Sequence, residues 1–166
     1  MEDIVNKVNQ SKLETFDLEN FFPKEKFISI DISKWLYKGI ILKEKEYRLA
    51  LNNFDFTIFK DKNIGLFCST GAILPSWSYL LVTTKLIGIA NKTIQGNEND
   101  FLILHYQEIL SKIDFSIYLD KSVILKGCSK KPVPQEVYVL SLFYLQPYSK
   151  SIMYGEACSA VPVYKK

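Results

Sequence analysis

Three cysteines carry most of the chemistry open to this sequence: Cys68, Cys128 and Cys158, each followed by a serine, Ser69, Ser129 and Ser159. Thiolate sulfur is a soft ligand that selects zinc, iron or an iron–sulfur cluster, and it also serves sulfur or redox relays. Three such ligands leave a tetrahedral metal one short, which suits catalysis or a transferable cluster better than a structural zinc. None of the tight paired-cysteine motifs of zinc fingers or ferredoxins is present. Free cysteine is also among the most buried residue types, so three core thiols account for the same residues. Lys126, Lys130 and Lys131 flank Cys128 and either favour its thiolate or form a solvated lysine turn. Glu156, two residues before Cys158, is either a base beside that thiol or an exposed loop carboxylate. The serines either hydrogen-bond thiolates or cap loops. His105, the one histidine, sits among apolar neighbours in FLILHYQEIL and reads as an ordinary helix residue. A Ser-His-Asp or Cys-His constellation therefore has little support. Neither a Gly-rich phosphate loop nor a dinucleotide fingerprint occurs.

The elements that would position these residues alternate. Phe27 to Ile32, Asn63 to Cys68, Lys92 to Gly96, Val123 to Cys128 and Ser151 to Tyr154 read as strands. Glu2 to Gln10, the KEKEYRLALNNF run, Pro75 to Ala90, Glu98 to Ile113 and Pro134 to Tyr148 read as helices, and the tail from Ala160 as extended. Strands alternating with helices of this length predict an α/β fold, a mostly parallel open sheet with helices on both faces. The continuous apolar runs IGLF and VILK fit strands buried on both sides. Residues 1–166 are expected to form a single domain, with 1–26 a lead-in helix and loop and 150–166 the last strand and tail.

Within that alternation lies an internal repeat, about 38–90 and 95–148. DFTIFKDKNIGLFCS aligns with DFSIYLDKSVILKGCS; the Asp-Phe pairs stand 59 residues apart and the cysteines 60. Pro75 and Tyr79 correspond to Pro134 and Tyr138, and a truncated third copy is read in KSIMYGEACSAVP, with Cys158, Ser159 and Pro162. The pattern implies an internal duplication that puts each cysteine at or just past the carboxyl end of a strand. Ligands of open parallel sheets bind at that edge. Neighbouring strands are roughly 4.8 Å apart, so thiols leaving adjacent strands come within reach of one metal.

Composition narrows the function classes. The chain has 166 residues, 48% of them apolar and 14% aromatic, enough for a packed core without staples. Its twenty lysines are accompanied by a single arginine, Arg48. Arginine is the residue that forks onto phosphates and base edges, so a dedicated nucleic-acid reader is not expected. The N-terminal MEDIVNKVNQ has no apolar core of signal-peptide length, so a reducing cytoplasm is expected and a disulfide framework is not. Ala72 to Ala90 approaches membrane-spanning length but contains Pro75 and Lys85, and reads as a helix largely covered by protein.

KGCSKKPVP and SIMYGEACSAVP, with DIVNKV, SKLETFDLENFFP, GIILKEKEYR and CSTGAILPSWSYLL, together resemble the uncharacterised domain-of-unknown-function family 2480 of Bacteroidetes. The resemblance spans nearly the whole chain. It implies a cytoplasmic protein linked to iron–sulfur assembly, with Cys68, Cys128 and Cys158 as metal ligands for an iron–sulfur cluster or zinc. The implied partners are iron–sulfur assembly factors; the residues themselves leave self-association open, with no nucleic acid and no membrane expected. The family tends to proline where this chain has Ala157, and has no histidine matching His105. The second reading that the residues allow is a non-catalytic interaction module with core cysteines, docking through the apolar helix Pro75 to Ala90.

Overall fold

The computed structural model describes residues 13–127, 130–156 and 159–166. Four aspartates set the local frame. Asp17, Asp31, Asp55 and Asp114 each accept, through the side chain, the N–H two residues on, and each opens a short 3-10 turn: Leu18–Phe21, Ile32–Trp35, Phe56–Phe59 and Phe115–Tyr118. A short carboxylate bonding its own backbone in this way is a local turn device. The Asp-Phe pairs of the repeat are therefore structural, since Phe56 and Phe115 are buried behind their capped aspartates.

The chain forms two compact units. In the unit Pro23–Phe101, strands β2 (Phe27–Asp31), β3 (Asn63–Phe67) and β4 (Lys92–Gln95) make a wholly parallel sheet in the order β2-β3-β4. Helices α1 (Glu44–Asn53) and α2 (Ser76–Leu86) complete it, around a core that includes Ile30, Ile32, Tyr47, Leu51, Ile64 and Leu66. In the unit Met1–Phe22 with Leu102–Lys166, β1 (Leu13–Asp17), β5 (Ser122–Lys126), β6 (Ser151–Tyr154) and β7 (Val161–Lys165) form a sheet in that order, with only the β6–β7 pair antiparallel. Its helices are α3 (Glu98–Leu110), within which the division between units falls, and α4 (Gln135–Leu145). Phe16, Leu18, Tyr106, Leu110, Val123 and Ile152 belong to its core.

The α/β class is as expected, in two mostly parallel sheets rather than one. β1 falls in the stretch read as lead-in; only Phe16 of its five residues is fully buried, so an apolar alternation is hardly visible. The helix expected over Glu2 to Gln10 lies outside the described residues. Pro75 and Pro134 stand one position ahead of their helices, where their carbonyls accept from Ser78 and Val137 and the missing N–H costs nothing.

The same element order runs through both units at constant spacing. Asn63 and Ser122, Ser76 and Gln135, and Lys92 and Ser151 begin matching elements, each pair 59 residues apart. The backbone agrees bond by bond. Asp61 and Asp120 both adopt positive φ, and their N–H groups donate to Ile89 and Tyr148, while Gly96 and Gly155 donate to Leu66 and Leu125. The third copy does not follow this frame. Ser151–Tyr154 matches β4, and Pro162 lies in β7, paired with Met153, within the tail expected to be extended.

Candidate functional site

At the carboxyl edge of β2-β3-β4, Asp31 ends β2 directly opposite Phe67, and Cys68 and Ser69 follow β3. Asp31 Oδ1 accepts from the backbone N–H of Ser33 at 3.0 Å and of Ser69 at 3.1 Å, and Oδ2 accepts the Ser69 hydroxyl at 2.5 Å. Burial opposes ionisation here, but the donated hydrogen bonds from Ser69 and Ser33 outweigh it and hold the carboxyl at about 2. Ser69 thus ties the β3 loop to the end of β2 and leaves the thiol alone.

Cys68 is half-buried against the core of its unit. Its Sγ lies 3.4 Å from Thr70 Oγ1, and the Thr70 hydroxyl donates its proton to the Gly39 carbonyl at 2.7 Å. With that one proton committed, the Thr70 oxygen can only accept, so the Cys68 S–H is the donor. Two phenols lie close by. Burial, then its neighbours Tyr79 and Cys68, push the Tyr47 hydroxyl up, and burial followed by Cys68 and Asp31 does the same to Tyr79. Both stay neutral, and the Tyr47 hydroxyl donates to the Ser78 carbonyl at 3.0 Å.

In the other unit the corresponding edge is wired through charge. Asp17 ends β1 opposite Lys126, whose Nζ lies 3.3 Å from Asp17 Oδ2 and 3.7 Å from Glu156 Oε2. The Asp17 hydrogen bond and charge, then the Glu156 charge, raise the Lys126 ammonium above its ordinary range. Glu19 Oε1 accepts the backbone N–H of Lys130 at 2.7 Å and of Lys131 at 3.4 Å. The positive charge expected around Cys128 is therefore interleaved with Asp17, Glu19 and Glu156, and Glu156 is ion-paired to Lys126.

Cys128, Ser129 and Cys158 lie outside the described residues. The strands that precede the two cysteines, β5 and β6, are parallel neighbours with Leu125 opposite Tyr154, whereas Cys68 follows a strand of the other sheet. The expected common edge thus joins the strands before two of the three cysteines. Among the described residues no group of three or more His, Cys, Asp or Glu is placed to hold a metal ion. His105 is half-buried on α3, 2.8 Å through Nε2 from the Phe21 carbonyl, the structural role expected of it.

Asp31, Asp17 and Glu19, which hold these loops, were not singled out from the sequence. Their signal was a recurring triplet of Asp, an apolar residue and a polar one: Asp17-Leu18-Glu19, Asp31-Ile32-Ser33, Asp55-Phe56-Thr57 and Asp114-Phe115-Ser116.

A family model described as protein of unknown function (DUF2480) matches residues 2–166. No curated protein and no solved structure matches the chain.

Proposed function

The chain belongs to the DUF2480 family, described as a protein of unknown function, and we propose that it is an accessory protein holding a soft metal ion or an iron–sulfur cluster on Cys128 and Cys158. The observation that carries this reading is the pairing of β5 with β6, parallel and in register up to Leu125 and Tyr154, three residues ahead of Cys128 and four ahead of Cys158 in sequence. Parallel neighbours deliver their following loops to one sheet edge, the usual position of ligand sites in α/β folds. Two thiolates leave half of a tetrahedral coordination sphere for a partner or for cargo, which fits transfer better than structural zinc. Cys68 is assigned a structural role, because it donates to Thr70 within the other unit.

Metal analysis of anaerobically purified protein tests this. Stoichiometric zinc or iron is expected in the wild type and in Cys68→Ser, and its loss in Cys128→Ser and in Cys158→Ser. Protein that takes up no metal on anaerobic reconstitution, or that retains it in the double variant of Cys128 and Cys158, overturns the proposal.

Exposed apolar side chains favour a second reading, self-association. Val139 and Phe143 on α4 are 61% and 74% exposed, and Val161 and Val163 stand exposed on the edge strand β7. Clustered apolar surface marks partner sites. Among the described residues no helix is long and apolar enough to cross a membrane. Sedimentation of the wild type beside Phe143→Lys distinguishes a dimer from a monomer.

A further inference from the structure

The single arginine does not belong to either strand-end edge. Arg48, on α1, lines a cleft of about 180 Å³ between α1 and α2, together with Leu51, Asn52, Leu81, Thr84 and Lys85. We propose that this cleft binds the phosphate group of a small molecule, or free phosphate, as an oxyanion.

The polar groups lining it are mostly donors. Lys85 Nζ gives one proton to Asn52 Oδ1 at 2.8 Å, which turns the Asn52 carbonyl oxygen to the lysine and leaves its NH₂ for a ligand. Lys85 has no carboxylate partner among the described residues, and α2 carries no acidic residue. Among the described residues Arg48 is bound through Nε alone, to Glu44 at 2.9 Å, which keeps the two terminal guanidinium nitrogens, the fork that matches a phosphate, uncommitted there. The guanidinium also sits 5.9 Å from the Trp77 ring centroid, which limits where it can swing. The Thr84 hydroxyl donates to the Leu81 carbonyl and adds no negative charge. Two cations and an amide thus converge on one concavity whose walls are the apolar stems of Leu51 and Leu81. The volume falls below the roughly 300 Å³ at which pockets begin to enclose a drug-sized molecule, so the site takes the anionic group and leaves any carrier outside.

Amide NMR shifts on titrating the full chain with inorganic phosphate, with chloride at matched ionic strength as control, test the assignment. Saturable shifts at Asn52, Thr84 and Lys85 are expected with phosphate and not with chloride. Arg48→Ala and Lys85→Ala should each weaken binding by at least about tenfold, the loss of one charge-assisted hydrogen bond. Glu44→Gln should tighten it, because it removes the carboxylate charge that competes for the guanidinium. That opposite sign separates a binding role from damage to the fold. Titration with glycerol phosphate separates the two sources: equal affinity assigns the site to the phosphate group alone, and tighter binding assigns it to a phosphorylated small molecule. Equal response to chloride, the absence of saturation, or unchanged binding in Arg48→Ala overturns the proposal.

Discussion

Replacing Asp31 with asparagine isolates the contribution of the loop anchor beside Cys68. Asparagine keeps one acceptor for the Ser33 and Ser69 N–H groups, but presents an NH₂ where the Ser69 hydroxyl now donates at 2.5 Å. A carboxyl held at about 2 instead of 3.8 is linked to at most about 2.4 kcal/mol of stability. Solvent reaches this half-buried group, and screening reduces the figure to about 1 kcal/mol. The folded-state value is depressed, so the stability is present above the unfolded value of 3.8 and is lost as pH falls through about 2. Asp31→Asn should therefore be about 1 kcal/mol less stable than wild type at pH 7, and the gap should narrow below pH 4 and be mostly gone near pH 2. Both tryptophans, Trp35 and Trp77, pack in the same unit as Asp31, so urea unfolding followed by their fluorescence reports on the right part of the chain. Other carboxylates titrate alike in both proteins and cancel in the difference. A gap that is absent at pH 7, or that persists undiminished to pH 2, refutes the account of Asp31 as an ionised anchor.

Five further substitutions probe the frame itself. Tyr47→Phe and Tyr106→Phe each remove a buried hydroxyl that donates to a backbone carbonyl, of Ser78 at 3.0 Å and of Leu18 at 2.8 Å, and each should cost about 1–2 kcal/mol in urea unfolding. In β3, Gly65→Ala would set its methyl 2.5 Å from both the Gly96 carbonyl oxygen and the Phe27 ring, so a loss of about 2–3 kcal/mol is expected, measurable as a lowered Tm. Asp61 adopts φ of 57° ahead of β3; Asp61→Gly should be neutral or stabilising by about 0.5 kcal/mol, whereas Asp61→Val should destabilise by more than about 1 kcal/mol, both read from urea midpoints.

The strands were legible wherever they are buried on both sides. Ile64, Gly65 and Leu66, and likewise Val123, Ile124 and Leu125, are consecutive fully buried residues, so an apolar run marks them. β1 is an edge strand whose Glu14 and Thr15 face solvent, and composition gives it the look of a polar lead-in. The division into two sheets was not legible, because a parallel partner is chosen by tertiary packing across long sequence separations: β1 pairs with β5, more than a hundred residues away, with β2, β3 and β4 all between them in sequence. For the candidate site, cysteines stand out by type, whereas Asp31 and Glu19 act on loops distant in sequence and look like ordinary surface acids until those loops are in place.

The recurring frame does not make the two edges chemically equivalent, and the reason lies in one pair of opposed residues. Opposite Asp31 stands Phe67, which offers no charge, so the carboxylate takes the Ser69 N–H and hydroxyl and holds the loop itself. Opposite Asp17 stands Lys126, which captures that carboxylate at 3.3 Å. The loop after β5 is then left to Glu19, which stands where Ser33 stands in the other unit, two residues past the capping aspartate. The extra residue before Cys128 fits this change: it is Gly127, at φ 154°, and any side chain there would set its Cβ 2.6 Å from Leu18 Cβ. An edge whose carboxylate is taken up by serine donors suits a thiol kept as a hydrogen-bond donor. An edge carrying Asp17, Glu19 and Glu156 against the single ammonium of Lys126 has carboxylates in excess, a balance that would suit a bound cation. Cys68 and Cys128 are therefore expected to differ in chemistry although they follow matching strands, which is why the metal assignment rests on Cys128 and Cys158 and leaves Cys68 out.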